Sequence, residues 1–270
     1  MNPRVAVIIG IMILGVAILF TGVSRKGKST TAGVSSSSSA AELYNTAVAL
    51  KGDNELVQAK ETYQKIISSY PNYEGIEKVQ KDLEDINIRV IFTNVDSPNT
   101  VLHEVQIGDT IGKLAKKYNT TAELIRLKNN IKNDMIRVGQ QLRIWTAPFV
   151  ILVDKSQNIL ILKTGDQVVK VYTVSTGVNN STPVGTFTVV NKLLDPVWFK
   201  SGAIIPPASP QNVLGSRWLG FDIPGYGIHG TIEPQTIGRQ ETAGCVRMVN
   251  HDVEELYSIV PAGTKVTITD

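Results

Sequence analysis

The sequence contains little cysteine and few aromatic residues, and its net charge is small. A single cysteine among 270 residues excludes a disulfide within the chain, so the cysteine count does not indicate a redox compartment and leaves one free thiol. With a formal charge of +3 and no run of lysine and arginine interleaved with aromatics, we predict no nucleic-acid partner. No cluster of cysteine, histidine and acidic residues has metal-ligand spacing, and we predict neither a metal nor a cofactor.

Charged side chains are also missing from residues 5–23 near the N-terminus. At about 1.5 Å per residue, a helix of this length would span roughly 28 Å, close to the thickness of the hydrocarbon layer. No clear A-x-A cleavage pattern follows, so we predict an uncleaved transmembrane anchor, with a cleaved signal peptide as the alternative. The Ser-rich stretch that completes this first region, 1–40, predicts a flexible linker.

The charges that flank the apolar run favour a cytoplasmic location for the C-terminal part. Arg4 precedes the run, whereas Arg25, Lys26 and Lys28 follow it, and the positive-inside bias keeps the more basic side in the cytoplasm. The function of the later domains must therefore decide the orientation.

Residues 41–95 show the three- and four-residue apolar spacing of amphipathic helices. Ala59, Tyr63 and Pro71 have a spacing that resembles the second half of a tetratricopeptide unit. One repeat offers little groove for a peptide, so a helical stalk is at least as good a hypothesis as a surface for a protein partner.

Residues 101–146 predict a strand, two helices and a strand, with a glycine that ends the first strand and threonines that can cap the helices. The opening "VQIGDT", the "NNI" segment and the closing "VGQQLRI" resemble a lysin motif, or LysM, domain. This resemblance implies a small βααβ domain that binds N-acetylglucosamine units of peptidoglycan or chitin. A βααβ packing unit without a ligand is the alternative. The candidate glycan-binding residues are Gly108, Asp109, Thr110, Asn129 and Ile131.

Residues 147–270 contain β-rich runs separated by polar turns, which predict successive antiparallel hairpins. The lone cysteine, Cys245, follows Gly244 in "ETAGCVRM", sixteen positions after His229 in "GYGIHGT". His229 could deprotonate a nearby thiol, and the surrounding glycines permit backbone N–H groups to converge on one oxygen. The spacing alone leaves an inert core cysteine as the alternative.

The blocks "TPVGTF", "LGSRWLGF", "GIHGT" and "ETAGCVRMVNHD" closely resemble the L,D-transpeptidase catalytic domain. The resemblance implies a mostly antiparallel, β-sandwich-like domain in which Cys245 is the nucleophile and His229 the base. The backbone carbonyl of Gly230 would orient the imidazole. The complete fold class predicted from the sequence is therefore multi-domain: this catalytic domain, a LysM domain, an N-terminal helical segment and a transmembrane helix.

The resemblance also implies roles for residues around the nucleophile. The N–H groups of Gly244 and Cys245 are candidates for the oxyanion hole, and Arg247 would contact a substrate carboxylate or brace its loop. Tyr226 and Trp218 are expected in the pocket wall. Many family members carry a second histidine directly before the Gly-Cys pair, a position that Ala243 occupies here.

The implied reaction is acyl transfer on peptidoglycan stem tetrapeptides, with release of D-Ala, a Cys245 thioester and a 3→3 cross-link as product. With water as the acceptor, the protein would be an L,D-carboxypeptidase. With another protein or a free D-amino acid as the acceptor, the same chemistry would attach that acceptor to the stem peptide. An inactive wall-binding scaffold is the remaining alternative. The implied partner is peptidoglycan, and the expected location is the cell envelope, with the domains facing outward from the membrane and susceptible to carbapenems.

Overall fold

The computed structural model describes residues 32–200 and 202–270, which form two compact units. One unit contains the described residues up to Ser97 together with Asp166–Lys170, and the other contains Pro98–Gly165 and Val171–Asp270. The second unit holds both the LysM-like region and the C-terminal region with the lone cysteine.

Three helices build the first unit: α1 (Ala32–Gly52), α2 (Leu56–Ser69) and α3 (Ile76–Phe92). Their apolar faces share one core, in which Ala59 and Tyr63 are fully buried. Helix α1 begins inside the Ser-rich stretch that the sequence predicts as a linker. Serine costs only about 0.5 kcal/mol per residue relative to alanine in a helix, so a packed segment downstream can extend the helix into such a stretch.

The predicted transmembrane helix is not part of the described fold. No helix in residues 32–200 and 202–270 is long and apolar enough to cross a membrane. The longest of these, α1, contains a run of serines together with Glu42 and Lys51, which are costly in hydrocarbon. The apolar run at residues 5–23 lies outside the described residues. The fold class is therefore corrected to a helical unit, a LysM-like domain and a β-rich domain.

The LysM-like domain has the predicted strand, helix, helix, strand order. Strand β1 (Thr100–Glu104) pairs antiparallel with β2 (Gln141–Trp145), and helices α4 (Ile111–Lys117) and α5 (Ala122–Lys128) lie between them in the chain. Each helix begins after a threonine whose hydroxyl accepts a hydrogen bond from the backbone N–H three residues later, which stabilises the first turn. These capping residues are Thr110 and Thr121.

The C-terminal domain contains one continuous eight-stranded sheet with the order β13-β11-β10-β7-β14-β3-β4-β5. Its strands are β3 (Phe149–Asp154), β4 (Ile159–Thr164), β5 (Gln167–Thr173), β7 (Gly185–Leu194), β10 (Arg217–Phe221), β11 (Gly227–His229), β13 (Val246–Arg247) and β14 (Lys265–Thr269). Four short strands lie outside it: β6 (Thr176–Gly177), which pairs with β12 (Gln240–Thr242), and β8 (Trp198–Lys200), which pairs with β9 (Ala203–Ile205). Helix α6 (Asn250–Ile259) connects β13 to β14.

The long strand β7 belongs to both halves of this sheet. Residues 185–188 of β7 pair with β14, and residues 189–194 pair with β10. Two of the strand pairs, β11 with β13 and β14 with β3, are parallel. Parallel neighbours require a crossover connection. The crossover between β11 and β13 carries residues 230–245, and so brings the lone cysteine back to the edge of the sheet, directly before the strand that pairs with β11.

Candidate active site

Three neighbouring strands place three predicted site residues in one row across the sheet. Trp218 of β10 is in register with His229 of β11, and His229 is in register with Arg247 of β13. Residues in register on adjacent strands project to the same face. The indole ring of Trp218 consequently stacks on the imidazole, with ring centroids 6.0 Å apart and ring planes 19° apart.

The imidazole of His229 is neutral and has a defined tautomer. Its side chain is 3% exposed, and Nδ1 lies 2.6 Å from the carbonyl oxygen of Gly230. Because a carbonyl only accepts, Nδ1 carries the proton in this hydrogen bond, and Nε2 is the ring nitrogen that can accept one. Burial lowers the pKa of His229 to about 4; the backbone hydrogen bonds with Gly230 and Leu214 raise the pKa, and the charge of Arg247 lowers it. The imidazole is therefore uncharged at neutral pH.

Cys245 lies at the end of the crossover, directly before β13. Its thiol donates a hydrogen bond to the carbonyl oxygen of Gly225 at 3.4 Å. Burial raises the pKa of the thiol above its ordinary value, although a backbone hydrogen bond from Gly227 and the charge of Arg247 act in the opposite direction. Both the thiol and the imidazole of the resting site are therefore neutral.

One cavity of about 560 Å³ contains both groups. Arg247 and Trp218 also line it, together with an apolar wall from β7, the β8–β9 hairpin and the loop before β10. Apolar walls of this kind exclude water from a site and strengthen electrostatic interactions inside it. The apolar lining residues are Leu193, Pro196, Val197, Trp198, Phe199, Val213 and Leu214.

Family models match two parts of the chain. A LysM domain matches residues 103–145, and an L,D-transpeptidase catalytic domain matches residues 148–268. A Bacillus licheniformis protein named as an L,D-transpeptidase, YkuD, is 33% identical over 177 residues that cover 63% of this chain and 99% of that protein. The chain belongs to the L,D-transpeptidase family. The Bacillus subtilis relative YqjB is 42% identical over 129 residues, which cover 46% of this chain and 72% of that protein.

Solved L,D-transpeptidase structures align with about half of the chain. One from Mycobacterium smegmatis has a TM-score of 0.40 and 19% identity and covers 50% of this chain and 65% of that chain. The Enterococcus faecium catalytic domain has a TM-score of 0.38 and 23% identity and covers 46% of this chain and 98% of that chain. At these scores the alignments carry no argument about substrate or mechanism.

Arg247 of this L,D-transpeptidase family member braces the crossover. The residue is 8% exposed, and Nη1 donates to the hydroxyl of Thr236 at 3.0 Å and lies 3.7 Å from a carboxylate oxygen of Glu233. Its Nε is buried without a hydrogen-bond partner in the described part of the chain, and is therefore not accessible to a substrate in this conformation. Of the two predicted roles, these contacts support bracing of the loop, and contact with a substrate carboxylate stays a prediction.

One of the two oxyanion candidates, the N–H of Gly244, already has a hydrogen-bond acceptor. Gly244 N–H donates to the hydroxyl of Thr242 at 3.1 Å, and that hydroxyl donates to the carbonyl oxygen of Cys245 at 2.6 Å. Gly244 has φ +139°, and a Cβ there would lie 2.7 Å from the ring of Tyr226. Tyr226 thus packs against the glycine and is not among the described residues that line the cavity, whereas Trp218 is.

Asn250, the first residue of α6, supports the base and was not identified from the sequence. Its side-chain oxygen accepts from the backbone N–H groups of Thr231 at 2.9 Å and Ser216 at 3.2 Å. A Cβ at Gly230 or Gly215 would overlap this oxygen, so both positions need glycine. The only available signal was the asparagine in "VRMVNHD", whose partners are distant in the chain.

A second cavity, of about 900 Å³, lies on the LysM domain. Four of the five candidate glycan-binding residues line it, and the fifth, Gly108, has φ +87° at the turn before α4. Asn129 uses its side-chain amide within the domain, donating to the carbonyls of Ile125 and Arg143 and accepting from Arg143 N–H. The side-chain amide of Asn129 therefore holds the backbone of the domain together at this cavity. The four lining residues are Asp109, Thr110, Asn129 and Ile131.

Alkylation of the lone thiol tests the neutral resting state. Because the pKa of Cys245 is raised, we expect its iodoacetamide labelling rate to stay low near neutral pH and to rise from about pH 5 to about pH 10 without an acidic plateau. Intact-protein mass reports this residue alone, since the chain has one cysteine. The urea-unfolded chain is the control and should label faster at neutral pH. Fast labelling of the folded protein at acidic pH would instead indicate a thiolate–imidazolium pair.

Substitution of Asn250 tests the support of the base. In Asn250→Ala, the N–H groups of Thr231 and Ser216 lose their acceptor, and we expect the free energy of unfolding to fall by about 1–3 kcal/mol. The matched variant Asn250→Asp retains an acceptor oxygen and should lose less. Urea unfolding monitored by tryptophan fluorescence measures both. Equal losses in the two variants would contradict the role given to the oxygen.

Proposed function

We propose that this protein is a peptidoglycan L,D-transpeptidase that forms 3→3 cross-links through a thioester on Cys245. The observation that carries the proposal is the cavity shared by a thiol and a neutral, tautomer-fixed imidazole. Membership of the L,D-transpeptidase family supports a transpeptidase, and the LysM domain supports peptidoglycan binding and a location in the cell envelope.

In the acylation step, Nε2 of His229 takes the thiol proton as Sγ attacks the carbonyl carbon of the third stem residue. The bond from Nδ1 to the Gly230 carbonyl strengthens as the imidazole becomes charged, which offsets part of the cost of charging a buried ring. Cys245 N–H is the first candidate donor to the oxyanion, because Gly244 N–H is engaged by Thr242. The imidazolium then gives its proton to the leaving D-Ala amine, and the thioester forms.

In the second step, a side-chain amine of a neighbouring stem attacks the thioester while His229 again accepts a proton. The sulfur leaves as Cys245 is restored, and the new amide is the cross-link. The apolar wall of the cavity favours the amine over water as acceptor, because it limits the water around the thioester. Arg247 lines the same cavity, and its positive charge attracts a carboxylate of the donor stem.

The mass of the intact protein tests this chemistry. After incubation with a disaccharide tetrapeptide, we expect the wild-type chain to carry an adduct equal to the substrate less D-Ala, with free D-Ala released. Cys245→Ala should give neither while it still binds sacculi. A second stem added to the wild-type protein should remove the adduct as cross-linked product. Wild-type protein without adduct or D-Ala, from a sample shown to be folded, would reject the proposal in favour of a scaffold.

A further inference from the structure

We propose that the LysM domain is docked rigidly on the catalytic domain, so that it holds a glycan strand at a fixed position relative to Cys245 and selects stems still attached to glycan. This inference rests on the proposed function and concerns its substrate: a polymer-bound stem peptide in preference to a soluble one. A flexible tether would raise the local substrate concentration without fixing a geometry.

The first contact that fixes the two domains is made by the capping residue of α5. The hydroxyl of Thr121 accepts from Leu124 N–H at 2.9 Å and also donates to the backbone carbonyl of Ser258 in α6. Thr121 is 5% exposed, so this hydrogen bond is shielded from water. A buried hydrogen bond between domains opposes their separation, because opening would leave both groups to be solvated again.

Helix α5 also lies against helix α6, and this places a charged residue of the LysM domain near the catalytic domain. Lys192 of β7 donates to the carbonyl of Tyr257 at 2.6 Å and lies 4.0 Å above its ring. Burial lowers the pKa of Lys192 to about 8. The negative charge of Glu123 in α5 has the opposite, smaller effect and raises this pKa. Glu123 therefore lies near enough to act on a lysine of the catalytic sheet.

The connection between the domains is short and packed. Three residues, 146–148, separate β2 from β3, and the rings at its two ends, Trp145 and Phe149, stack at 5.6 Å with planes 13° apart. The indole N–H of Trp145 donates to the carbonyl of Ala147 at 2.9 Å. Flexible linkers are longer and rich in glycine and serine, and this connection has neither property.

Two helices connect the two cavities through these contacts. Helix α5 begins directly after Thr121, at the domain contact, and ends at Lys128, which directly precedes the cavity residue Asn129. Helix α6 extends from Asn250, which holds the backbone beside His229, to the Ser258 contact. Each helix is a stiff element of fixed length. A strand bound at the LysM cavity is thus held at a defined distance from the nucleophile.

Substitution of Thr121 tests the docking without removing the helix cap. Asp is as good a cap as Thr, but an ionised carboxylate cannot donate to the Ser258 carbonyl and is repelled by it. Thr121→Ser keeps both the cap and the donor and serves as the matched control. A second variant inserts a six-residue Gly-Ser segment after Ala147, which loosens the connection without changing either cavity.

Three measurements on the full chain separate the possible results: cross-linking of sacculi, turnover of soluble disaccharide tetrapeptide, and pelleting with sacculi. For Thr121→Asp and for the insertion, we expect sacculus cross-linking to fall by about tenfold, because misplacement of a bound substrate lowers the reaction rate steeply. Soluble turnover and sacculus binding should stay within about twofold of wild type, and Thr121→Ser should match wild type in all three.

Two results would overturn the inference. Unchanged cross-linking of sacculi in both loosened variants would show that a tether suffices. A fall in cross-linking matched by an equal fall in sacculus binding would show that the LysM domain acts through affinity alone. Failure of the proposed function itself would give a different result, because the wild-type protein would then turn over neither sacculi nor the soluble peptide.

Discussion

The hydrogen bond from His229 Nδ1 to the carbonyl of Gly230 is the interaction on which the rest of the site depends. It fixes the tautomer, and so leaves Nε2 as the only ring atom able to accept a proton. The carbonyl can point inward because Asn250 holds the next residue, Thr231, through its backbone N–H. That support requires glycine at 230, since any side chain would collide with the Asn250 oxygen. The "GIHGT" block thus reflects steric and hydrogen-bonding requirements of one buried imidazole.

Features of the fold and the candidate site that involve residues close together in the chain could be predicted from the sequence, whereas features that join distant segments could not. The caps at Thr110 and Thr121 and the order of elements in the LysM domain follow from short patterns, and the structure has them. The parallel pairing of β11 with β13 does not, because it joins segments separated by a long crossover. Without that pairing, the sequence could not bring Cys245 and His229 together, and only the family resemblance linked them.

Asn250 and Gly244 show the same limit at single residues. Asn250 contacts backbone groups 19 and 34 positions away, so no local pattern could reveal its role. The position of Gly244 beside the cysteine predicts that its N–H donates to the oxyanion, but in the structure this N–H donates to the hydroxyl of Thr242. Side-chain competition for a backbone donor is a property of the folded loop. For the Ser-rich stretch, the local composition predicts a flexible linker, but the structure shows that part of it is helical, next to a packed core.

The neutral resting pair has a consequence for a thiol in the cell envelope. Thiolates are oxidised much more readily than thiols, and a permanently ionised Cys245 would be vulnerable outside the cytoplasm. Burial raises the pKa of the thiol and lowers that of the imidazole, so both remain uncharged when no substrate is present. In the mechanism proposed above, proton transfer becomes favourable only as a substrate carbonyl accepts the sulfur electrons. Under that mechanism, the same burial that slows the free thiol couples its activation to the arrival of substrate.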